Sequence, residues 1–523
     1  MLKMPLIEEI SEYLKHSFLG FHTPGHQQGQ GSESCFQQLL QQGLLQLDLT
    51  EVPGLDNLHH PCGCLYESQR LAADLFGARE TFYLVNGSTV GLQAALLAIN
   101  RPQGKVIIPR HAHISVLNGL ILSGGVPLIS PVQMEKKWGI PLGLSAEKLS
   151  SLLEEEAPDE VSEGETSEKV VSAEKAPVAK MPEIAKIPGK QERVAQVAGK
   201  TDIDLVFTVN PTYQGVGYSA GVINKLIKEK GLCHLVDEAH GGHLFFQSEL
   251  PLSLQKEGAD IVIQSTHKTL SALTQASMLH VNTEKFRAPV REALNILQTT
   301  SPSYLLMASL DSVQAQLRTE GAALVGKSLE TAFLLRKTIE EIPGFRVFPD
   351  EPLPVGWYHD PTKVLVSAAE LGLTGWELAE LLREKYGIVV EMFDYYAVLF
   401  LVTWGHSSAD VSRVGIALRQ IGRENRKKAL DSLPLPVSFY EESVRLLLTP
   451  REVYYNKKEV VKIDEAVGRI CGRALTIYPP GIPCLWPGQV IEPEHLEYVR
   501  WALREKLRVQ GVSAEEKITV LKV

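Results

Sequence analysis

The feature that most constrains the fold is a pair of short apolar runs, each ending abruptly in a polar cluster. Leu235-Val236 is followed by Asp237-Glu238-Ala239-His240, and Ile261-Val262-Ile263 is followed by Ser265-Thr266-His267-Lys268. Apolar runs this short are typical of buried strands. Because open α/β sheets place their binding crevice outside the carboxyl ends of the strands, we expect the two polar clusters to share one site.

The two clusters offer complementary chemistry. The first contains a carboxylate, Asp237, and the second contains a lysine, Lys268, which follows two hydroxyls and an imidazole. A lysine can bind an aldehyde as a Schiff base, a carboxylate can keep a pyridine nitrogen protonated, and small hydroxyls can hold a phosphate. This combination favours pyridoxal 5'-phosphate (PLP) as the cofactor.

Strand and helix patterns alternate along much of the chain. An apolar run at Thr81–Val85 ends in Asn86-Gly87-Ser88-Thr89 and precedes a helical pattern at Gly91–Ile99. This order places hydroxyls and amides at a helix N-terminus, where a phosphate can bind, although a plain helix cap would explain Ser88 equally well. Further strands are predicted at Val106–Ile108, Val126–Ser130 and Asp204–Val209. The alternation predicts an α/β fold with a mostly parallel sheet.

The chain of 523 residues is too long for one ordinary core. We expect an N-terminal helix and an irregular segment over residues 1–65, a large domain over 66–340, a small α/β domain over 341–433 and a C-terminal domain over 434–523. The helix is predicted over residues 1–20, the irregular segment extends to Gly63, and a long helix spans Leu305–Ile342. The stretch from about 153 to 200 is rich in Glu, Lys, Ala and Pro without aromatic residues, which predicts a disordered insertion.

Several motifs together carry a resemblance to a known family. DEAHGGHLFF and QSTHKTLSALTQASMLH resemble the Orn/Lys/Arg decarboxylase family, which consists of PLP enzymes with the aspartate aminotransferase fold. Further stretches agree, namely FHTPGHQQG, DLTEVPGLDNLHHPCG, NGSTVG, VNPTYQGV and YPPGIPCLWPG. The resemblance covers residues 21 to 488. It implies a fold type I large domain, a smaller C-terminal α+β part and a homodimer or higher homo-oligomer.

The resemblance also implies roles for single residues. Lys268 would form the Schiff base, Asp237 would face the pyridine nitrogen, and His113 and Ala239 would lie on the two ring faces. His240 would lie near the phenolic oxygen. The residues that would hold or neighbour the phosphate are Gly87, Ser88, Thr89, Ser265 and His267, with Ser301 supplied by the neighbouring subunit. The family pattern has a lysine directly after the ring-stacking histidine, whereas this chain has Ile114.

The function implied is α-decarboxylation of a small basic amino acid. We favour arginine, which would give agmatine for polyamine biosynthesis, and lysine and ornithine stay open. Asp56, Glu391 and Asp394 are candidates to meet the distal cation of the substrate. An aminotransferase or a non-catalytic PLP-binding protein is the rival interpretation. The strand pattern at Tyr395–Thr403 contains no arginine to clamp an α-carboxylate, which favours decarboxylation.

Other function classes receive less support. The net charge of −10 argues against nucleic acid or an anionic membrane as a partner. No apolar stretch is long enough to span a membrane, and the cysteine spacing fits a reducing cytoplasm. An ATPase phosphate loop is suggested by GAALVGKS at residues 321–328, but the residues before it are helical in pattern. Two groups invite a zinc interpretation, which their spacing disfavours: His59, His60, Cys62 and Cys64, and His234, His240 and His243. We therefore expect no metal.

Overall fold

The computed structural model describes residues 4–155, 203–425, 429–430, 438–478, 481–505 and 507–522. Most of the predicted insertion therefore lies outside the described residues. Its first part does not, because residues 153–155 end the helix Ala146–Glu155, in which Leu153 is buried. The prediction of disorder from residue 153 was wrong for this turn, which packs an apolar face against the core.

A seven-stranded sheet forms the centre of the large domain. In spatial order its strands are Glu80–Leu84, Ser277–Val281, Ile261–Gln264, Cys233–Asp237, Ile203–Val209, Lys105–Pro109 and Val126–Ser130. Ser277–Val281 runs antiparallel to both of its neighbours, and the other neighbouring strands pair in parallel. The mostly parallel sheet predicted from the alternating pattern is confirmed. Its strands are mostly apolar because both faces are covered.

Helices pack on both faces of this sheet. They are Cys64–Phe76, Gly87–Ile99, Ile114–Ser123, Ala146–Glu155, Ala220–Glu229 and Arg287–Leu297. Gly91 permits close packing of its helix, since a Cβ there would lie 2.6 Å from Leu84 Cδ1. The helix after the first strand begins at Gly87, earlier than the predicted Gly91. Ser88 therefore lies in the first turn of the helix.

A second, antiparallel sheet follows the long helix Tyr304–Glu340, which confirms the helix predicted at Leu305–Ile342. Its strands in spatial order are Arg346–Val347, Lys363–Ser367, Ala397–Leu401 and Met392–Phe393. The helices Gly375–Tyr386 and Ser408–Glu424 pack against it with their apolar sides. The phosphate-loop match at residues 321–328 lies inside the long helix, where its backbone amides are bonded within the helix and cannot cradle a phosphate.

The N-terminal segment is more regular than predicted in one part and less in another. The helix spans Pro5–Lys15 and not residues 1–20, and Leu19–Phe21 is a strand that pairs in parallel with Ile388–Val390. The segment predicted as irregular contains the short helices Ser34–Leu40 and Leu44–Leu47. The apolar residues of the first helix are exposed in the single chain, with Leu6 at 73%.

The C-terminal part has its own apolar core. Lys458–Lys462 pairs with Lys517–Leu521, and Leu475–Tyr478 pairs with Ile482–Leu485 and Arg508–Gln510.

The remaining elements are the helices Ser438–Glu441, Pro450–Tyr455 and Pro493–Arg504, the strand pairs Gln133–Glu135 with Ile140–Gly143 and Val216–Tyr218 with Trp357–His359, and single turns at Leu244–Phe246, Thr266–Thr269, Glu284–Phe286, Ala369–Leu371 and Ile463–Glu465. No helix among the described residues is both long and apolar enough to cross a membrane.

Candidate functional site

One cavity lies at the carboxyl ends of the central strands, where the sequence predicted a shared site. It measures about 950 Å³ including its open mouth. Its wall contains Ser88, His113, Asp237, Ala239, His240 and Lys268 from the predicted set, together with residues such as Thr23, His111, Tyr213, Gln214 and Glu391. The structure thus brings six of the predicted residues together around one space.

Lys268 reaches this cavity from the turn that follows the strand Ile261–Gln264. Its Nζ lies 2.9 Å from His240 Nε2. Removal from bulk water lowers the pKa of Lys268, and the nearby Asp237 and Glu391 carboxylates oppose that shift. A lower pKa increases the neutral fraction of the amine, which is the form that attacks an aldehyde.

Asp237 ends the strand Cys233–Asp237 and faces the same cavity. Its Oδ1 accepts a hydrogen bond from the Ala239 amide at 3.0 Å. Burial raises the pKa of Asp237, and the positive charge of Lys268 opposes the shift. Within the described part of the chain, no Lys, Arg or His nitrogen lies within 4.0 Å of this carboxylate. A cationic ring nitrogen in the cavity would supply the missing partner.

His240 lies between two lysines. Its Nε2 contacts Lys268 Nζ and its Nδ1 contacts Lys363 Nζ, each at 2.9 Å. The Tyr213 ring lies 4.4 Å from the imidazole, centroid to centroid. Sequence reasoning missed Lys363, which begins the strand Lys363–Ser367. The one available signal was a lysine at the start of an apolar run, in the sequence DPTKVLVS.

His113 is the N-cap of the helix Ile114–Ser123, and its Nδ1 accepts a hydrogen bond from the Ser115 amide at 3.2 Å. Burial lowers the pKa of His113 to about 4, and the positive charge of Lys268 adds to the shift. The imidazole is therefore neutral at physiological pH, which suits stacking on a ring better than proton donation.

The predicted phosphate residues lie around the start of the helix Gly87–Ile99. Ser265 Oγ donates to Ser88 Oγ at 2.8 Å, so the two hydroxyls from different strand ends meet. Gly87 adopts φ +75°, a conformation that favours glycine. Ser88 lines the cavity, whereas Gly87, Thr89, Ser265 and His267 are not part of its wall. Thr89 is exposed, and His267 Nδ1 contacts the Ala276 carbonyl at 3.0 Å.

Ser301 does not belong to this cavity in the single chain. It is exposed, and its amide donates to Thr299 Oγ1 at 3.1 Å. Its assignment to the site of a neighbouring subunit stays a prediction.

The three acids proposed for the distal cation differ in their surroundings. Asp56 accepts backbone amides of its own loop, among them Gly63 at 2.7 Å, and Asp394 accepts the amides of Tyr396 and Ala397. Glu391 alone of the three lines the cavity. Its carboxylate accepts the Tyr213 hydroxyl at 2.7 Å and the Thr23 amide at 2.8 Å. Glu391 is thus the acid placed to meet a substrate.

Three of the histidines suggested for zinc have hydrogen-bond partners of their own. His59 Nε2 lies 2.8 Å from the Thr299 carbonyl, and His243 Nε2 lies 2.9 Å from Asp360 Oδ2. The imidazole of His234 is hydrogen-bonded to Thr208 Oγ1 and Asn224 Oδ1. Over the described ranges no group of three His, Cys, Asp or Glu side chains is arranged to hold a metal ion.

The donor set around the cavity fits PLP. A lysine and a buried carboxyl line the space from neighbouring strands, and a pair of serine hydroxyls stands beside a helix N-terminus. His111 and Gln214 also line it, and both imidazole nitrogens of His111 and the Oε1 atom of Gln214 have no hydrogen-bond partner among the described residues. Buried polar atoms without partners indicate a space built to receive a polar ligand.

Comparison with known proteins places the chain among enzymes. It matches the sequence profile of the Orn/Lys/Arg decarboxylase major domain over residues 4–173 and 183–410, and that of the C-terminal domain over residues 437–515. It is 33% identical to an arginine decarboxylase of Bacillus anthracis, over 97% of this chain and 94% of that protein. The arginine decarboxylase of Bacillus subtilis (strain 168) is 34% identical, over 97% of this chain and 95% of that protein.

Solved structures agree with the predicted fold. The constitutive lysine decarboxylase of Escherichia coli superposes with a TM-score of 0.73 at 21% identity, covering 99% of this chain and 82% of that one. An alanine–glyoxylate aminotransferase from Nostoc sp. superposes with a TM-score of 0.53 at 15% identity, covering 77% and 95%. The prediction of an aspartate aminotransferase-like α/β fold is thereby confirmed.

Proposed function

Because the chain belongs to the Orn/Lys/Arg decarboxylase family, we propose that it is a PLP-dependent α-decarboxylase of a basic amino acid, with arginine as the favoured substrate. The product would be agmatine, a precursor for polyamines. The observation that carries the proposal is the meeting of Lys268 and Asp237 on one cavity at the carboxyl ends of neighbouring strands.

The family resemblance suggests which residues would hold PLP, and several of them line the cavity. Lys268 would bind the aldehyde carbon, Asp237 would keep a proton on the ring nitrogen, and His113 and Ala239 would face the ring. Ser88 and Ser265 would donate to the phosphate, with Gly87, Thr89 and His267 beside them. When bound, PLP supplies an electron sink for the electron pair released as the Cα–carboxylate bond breaks.

The chain's own residues select which bond breaks. Leu92, Pro141 and Ile482 give the cavity wall an apolar part, and no arginine lines the cavity among the described residues. A carboxylate held by arginine is stabilised as a charge, whereas an apolar surrounding favours its loss as neutral CO₂. The wall therefore favours decarboxylation over transamination, although the same fold occurs in aminotransferases.

The preference for arginine rests on two supports. Curated relatives at 33–34% identity are arginine decarboxylases, while the constitutive lysine decarboxylase of Escherichia coli is 24% identical. Glu391 offers a planar carboxylate for a planar guanidinium, which can bind it through two hydrogen bonds. Lysine and ornithine are the alternatives, because an ammonium can also meet this carboxylate.

A homodimer or larger homo-oligomer belongs to the same proposal. Ser301 is exposed beside the polar turn after the helix Arg287–Leu297, where a neighbouring subunit can reach it. Mixing Lys268→Ala with Ser301→Trp subunits should restore activity to roughly a quarter of that of the unmodified enzyme, because half of the randomly formed dimers then hold one intact site. No recovery after demonstrated subunit exchange would contradict a shared site.

The decisive experiment measures CO₂ release from arginine, lysine and ornithine with the PLP-loaded full chain. We expect release from one of them and turnover that is fastest with arginine. In Glu391→Gln the KM should rise by about 10- to 100-fold, because a hydrogen bond to a charged group contributes about 1.5–3 kcal/mol. Glu249→Gln, at an exposed carboxylate, is the matched control for the loss of a charge, and it should leave KM unchanged. Absence of CO₂ with a normal cofactor spectrum would instead support an aminotransferase or a binding protein.

A further inference from the structure

The imidazole of His240 holds two lysine amines at the same distance. Lys268 Nζ and Lys363 Nζ lie 2.9 Å from Nε2 and Nδ1 respectively. Lys268 belongs to the large domain and Lys363 to the second sheet, so the contact joins the two parts of the site. A row of lysine, imidazole and lysine in hydrogen-bond contact is a feature that PLP binding alone does not require.

Hydrogen-bond chemistry limits the charge on this row. An ammonium group can only donate, and a neutral imidazole has a single acceptor nitrogen. When one lysine is charged and donates to that nitrogen, the other imidazole nitrogen carries a hydrogen and donates to the second amine. The second amine must then be neutral. With its imidazole neutral, the row Lys268–His240–Lys363 therefore carries at most one positive charge, which can reside at either end.

The surroundings of Lys363 hold it in place without a direct carboxylate partner. Lys363 is fully buried, at 0% exposure, and no carboxylate oxygen of the described residues lies within 4.0 Å of its Nζ. Gly215 makes room for its stem, since a Cβ at Gly215 would lie 2.7 Å from Lys363 Cγ, and its φ of +90° also favours glycine. Burial lowers the pKa of Lys363 to about 8, which leaves the amine able to gain or lose a proton near neutral pH.

Several charged groups face this row. The carboxylates of Asp237 and Glu391 raise the pKa of Lys268, and those of Asp360 and Glu391 raise the pKa of Lys363. The imidazoles of His113 and His267 contribute to the lowered pKa of His240, and Lys363 contributes to that of His359. Asp360 is itself fixed by His243 and Thr362, which keep the pKa of that carboxyl low, at about 2. It therefore stays negative over the physiological range and stabilises a charge on Lys363.

We propose that Lys363 is a positioning residue that stores a proton for Lys268 and exchanges it through His240. In the transfer, the N–H bond at Lys363 Nζ breaks as one forms at His240 Nδ1, and the N–H bond at His240 Nε2 breaks as one forms at Lys268 Nζ. No electron is gained or lost: two protons each move by one hydrogen bond, and the net result is the transfer of one proton from Lys363 to Lys268. The reverse transfer restores the starting state when Lys268 takes a proton from solvent through the cavity mouth.

This inference rests on the proposed function, because decarboxylation creates the need for the proton. Replacing a carboxylate at Cα by hydrogen consumes one proton in each turnover. Lys268 must be neutral to bind the cofactor and must carry a proton to deliver it to Cα. A buried partner that accepts and returns that proton allows one amine to serve both steps without waiting for solvent.

The first test follows the capture of PLP by the cofactor-free full chain, measured by visible absorbance as a function of pH. In Lys363→Met the single proton of the row is left to Lys268. The midpoint of the capture rate should then move upward by about one pH unit, which is the size of shift that a change in one nearby charge produces. Lys337→Met, which removes an exposed lysine of the long helix, is the control and should keep the original midpoint. An unchanged midpoint in a folded Lys363→Met protein overturns the proposal.

A second variant separates proton storage from charge. Lys363→Arg keeps a cation beside His240 but cannot release a proton, since arginine stays protonated in proteins. Its capture midpoint should not rise above that of the unmodified chain, because the positive charge then stays at residue 363 and leaves Lys268 neutral. In turnover, a larger share of events should end with the proton on the cofactor carbon, which leaves the cofactor as its amine. This share should rise by about 10²-fold, the lower end of the range ascribed to proton transfer. Unaltered partition in Lys363→Arg would overturn the storage role.

The two proposals fail in different ways. If the unmodified chain captures PLP but releases no CO₂ from any basic amino acid, the proposed decarboxylase function is wrong. The capture midpoints would still report whether the two lysines share a proton.

Discussion

Two adjacent carboxyls at the end of one strand belong to different regions of the molecule. Asp237 faces the cavity, and among the described residues its carboxylate accepts one hydrogen bond, from the Ala239 amide. Glu238 faces the interior, where its carboxylate accepts the Leu254 amide at 2.7 Å, Ser253 Oγ at 2.9 Å and Gln264 Nε2 at 2.7 Å. The alternation of side chains along an extended segment directs the neighbours to opposite sides.

Each carboxyl belongs to a buried polar network. The interior network continues from Glu238 through Gln264 and His280 to Thr81, with a hydrogen bond at each step. In the cavity network, His240 contacts Lys268 and Lys363, and Asp237 acts on Lys268 through its charge. These groups have capacity left for a ligand or a proton. Burial of polar side chains therefore does not by itself identify a binding site. A network whose hydrogen bonds are all satisfied stabilises the fold, whereas one with unsatisfied groups can bind a ligand.

Removing the lysine should produce the largest effect on the cavity network. In Lys268→Ala the cofactor has no amine to bind, so the visible absorbance of lysine-bound PLP should vanish and turnover should fall by about 10³-fold or more. Absorbance titration with PLP and CO₂ release measure the two effects. Lys256→Ala, at an exposed lysine, is the control and should behave like the unmodified chain. Normal absorbance in Lys268→Ala would break the assignment of this network to the cofactor.

The next largest effect should come from Asp237→Asn. The side chain keeps its shape and its contact with the Ala239 amide but cannot hold a proton on the ring nitrogen. PLP should still bind, while turnover should fall by about 10²-fold, in the range typical of a lost proton-transfer group. Wild-type turnover would show that another acid serves the ring nitrogen.

How much of this arrangement the sequence predicts depends on how local each feature is. Lys268 and Asp237 follow apolar runs directly, so strand patterns place them at one sheet edge. Lys363 comes from a different sheet, nearly a hundred residues from Lys268, and nothing in its local pattern shows that it meets His240. The exclusion of Asp56 and Asp394 likewise depends on which backbone amides each carboxylate accepts, and only the folded chain sets those contacts.

Two serine substitutions, one in each network, should have smaller effects because each removes a single hydrogen bond. Ser265→Ala removes the contact with Ser88 beside the cavity, and Ser253→Ala removes a contact with Glu238 in the interior. A hydrogen bond contributes about 0.5–1.5 kcal/mol, so Ser265→Ala should weaken PLP binding by up to about 10-fold. Ser253→Ala should leave the Kd for PLP unchanged and lower the free energy of unfolding by a similar amount. Weaker PLP binding in Ser253→Ala would mean that the two networks are coupled.

Glu238→Gln should have the smallest effect on activity and tests the interior network by its pH dependence. The amide replaces one acceptor oxygen by a donor that faces donors, so the free energy of unfolding at low pH should fall by about 1–3 kcal/mol.

Burial raises the pKa of Glu238 to about 7 from its ordinary 4.5. A carboxyl with a raised pKa contributes stability fully below its ordinary pKa, and that contribution is lost as pH rises through the raised value. The stability gap between the unmodified chain and Glu238→Gln should therefore be widest below about pH 4.5 and shrink as pH rises through about 7. Chemical unfolding of both proteins across this range measures the gap, and a gap that widens with pH would show that Glu238 is stabilised as the carboxylate by the donors around it.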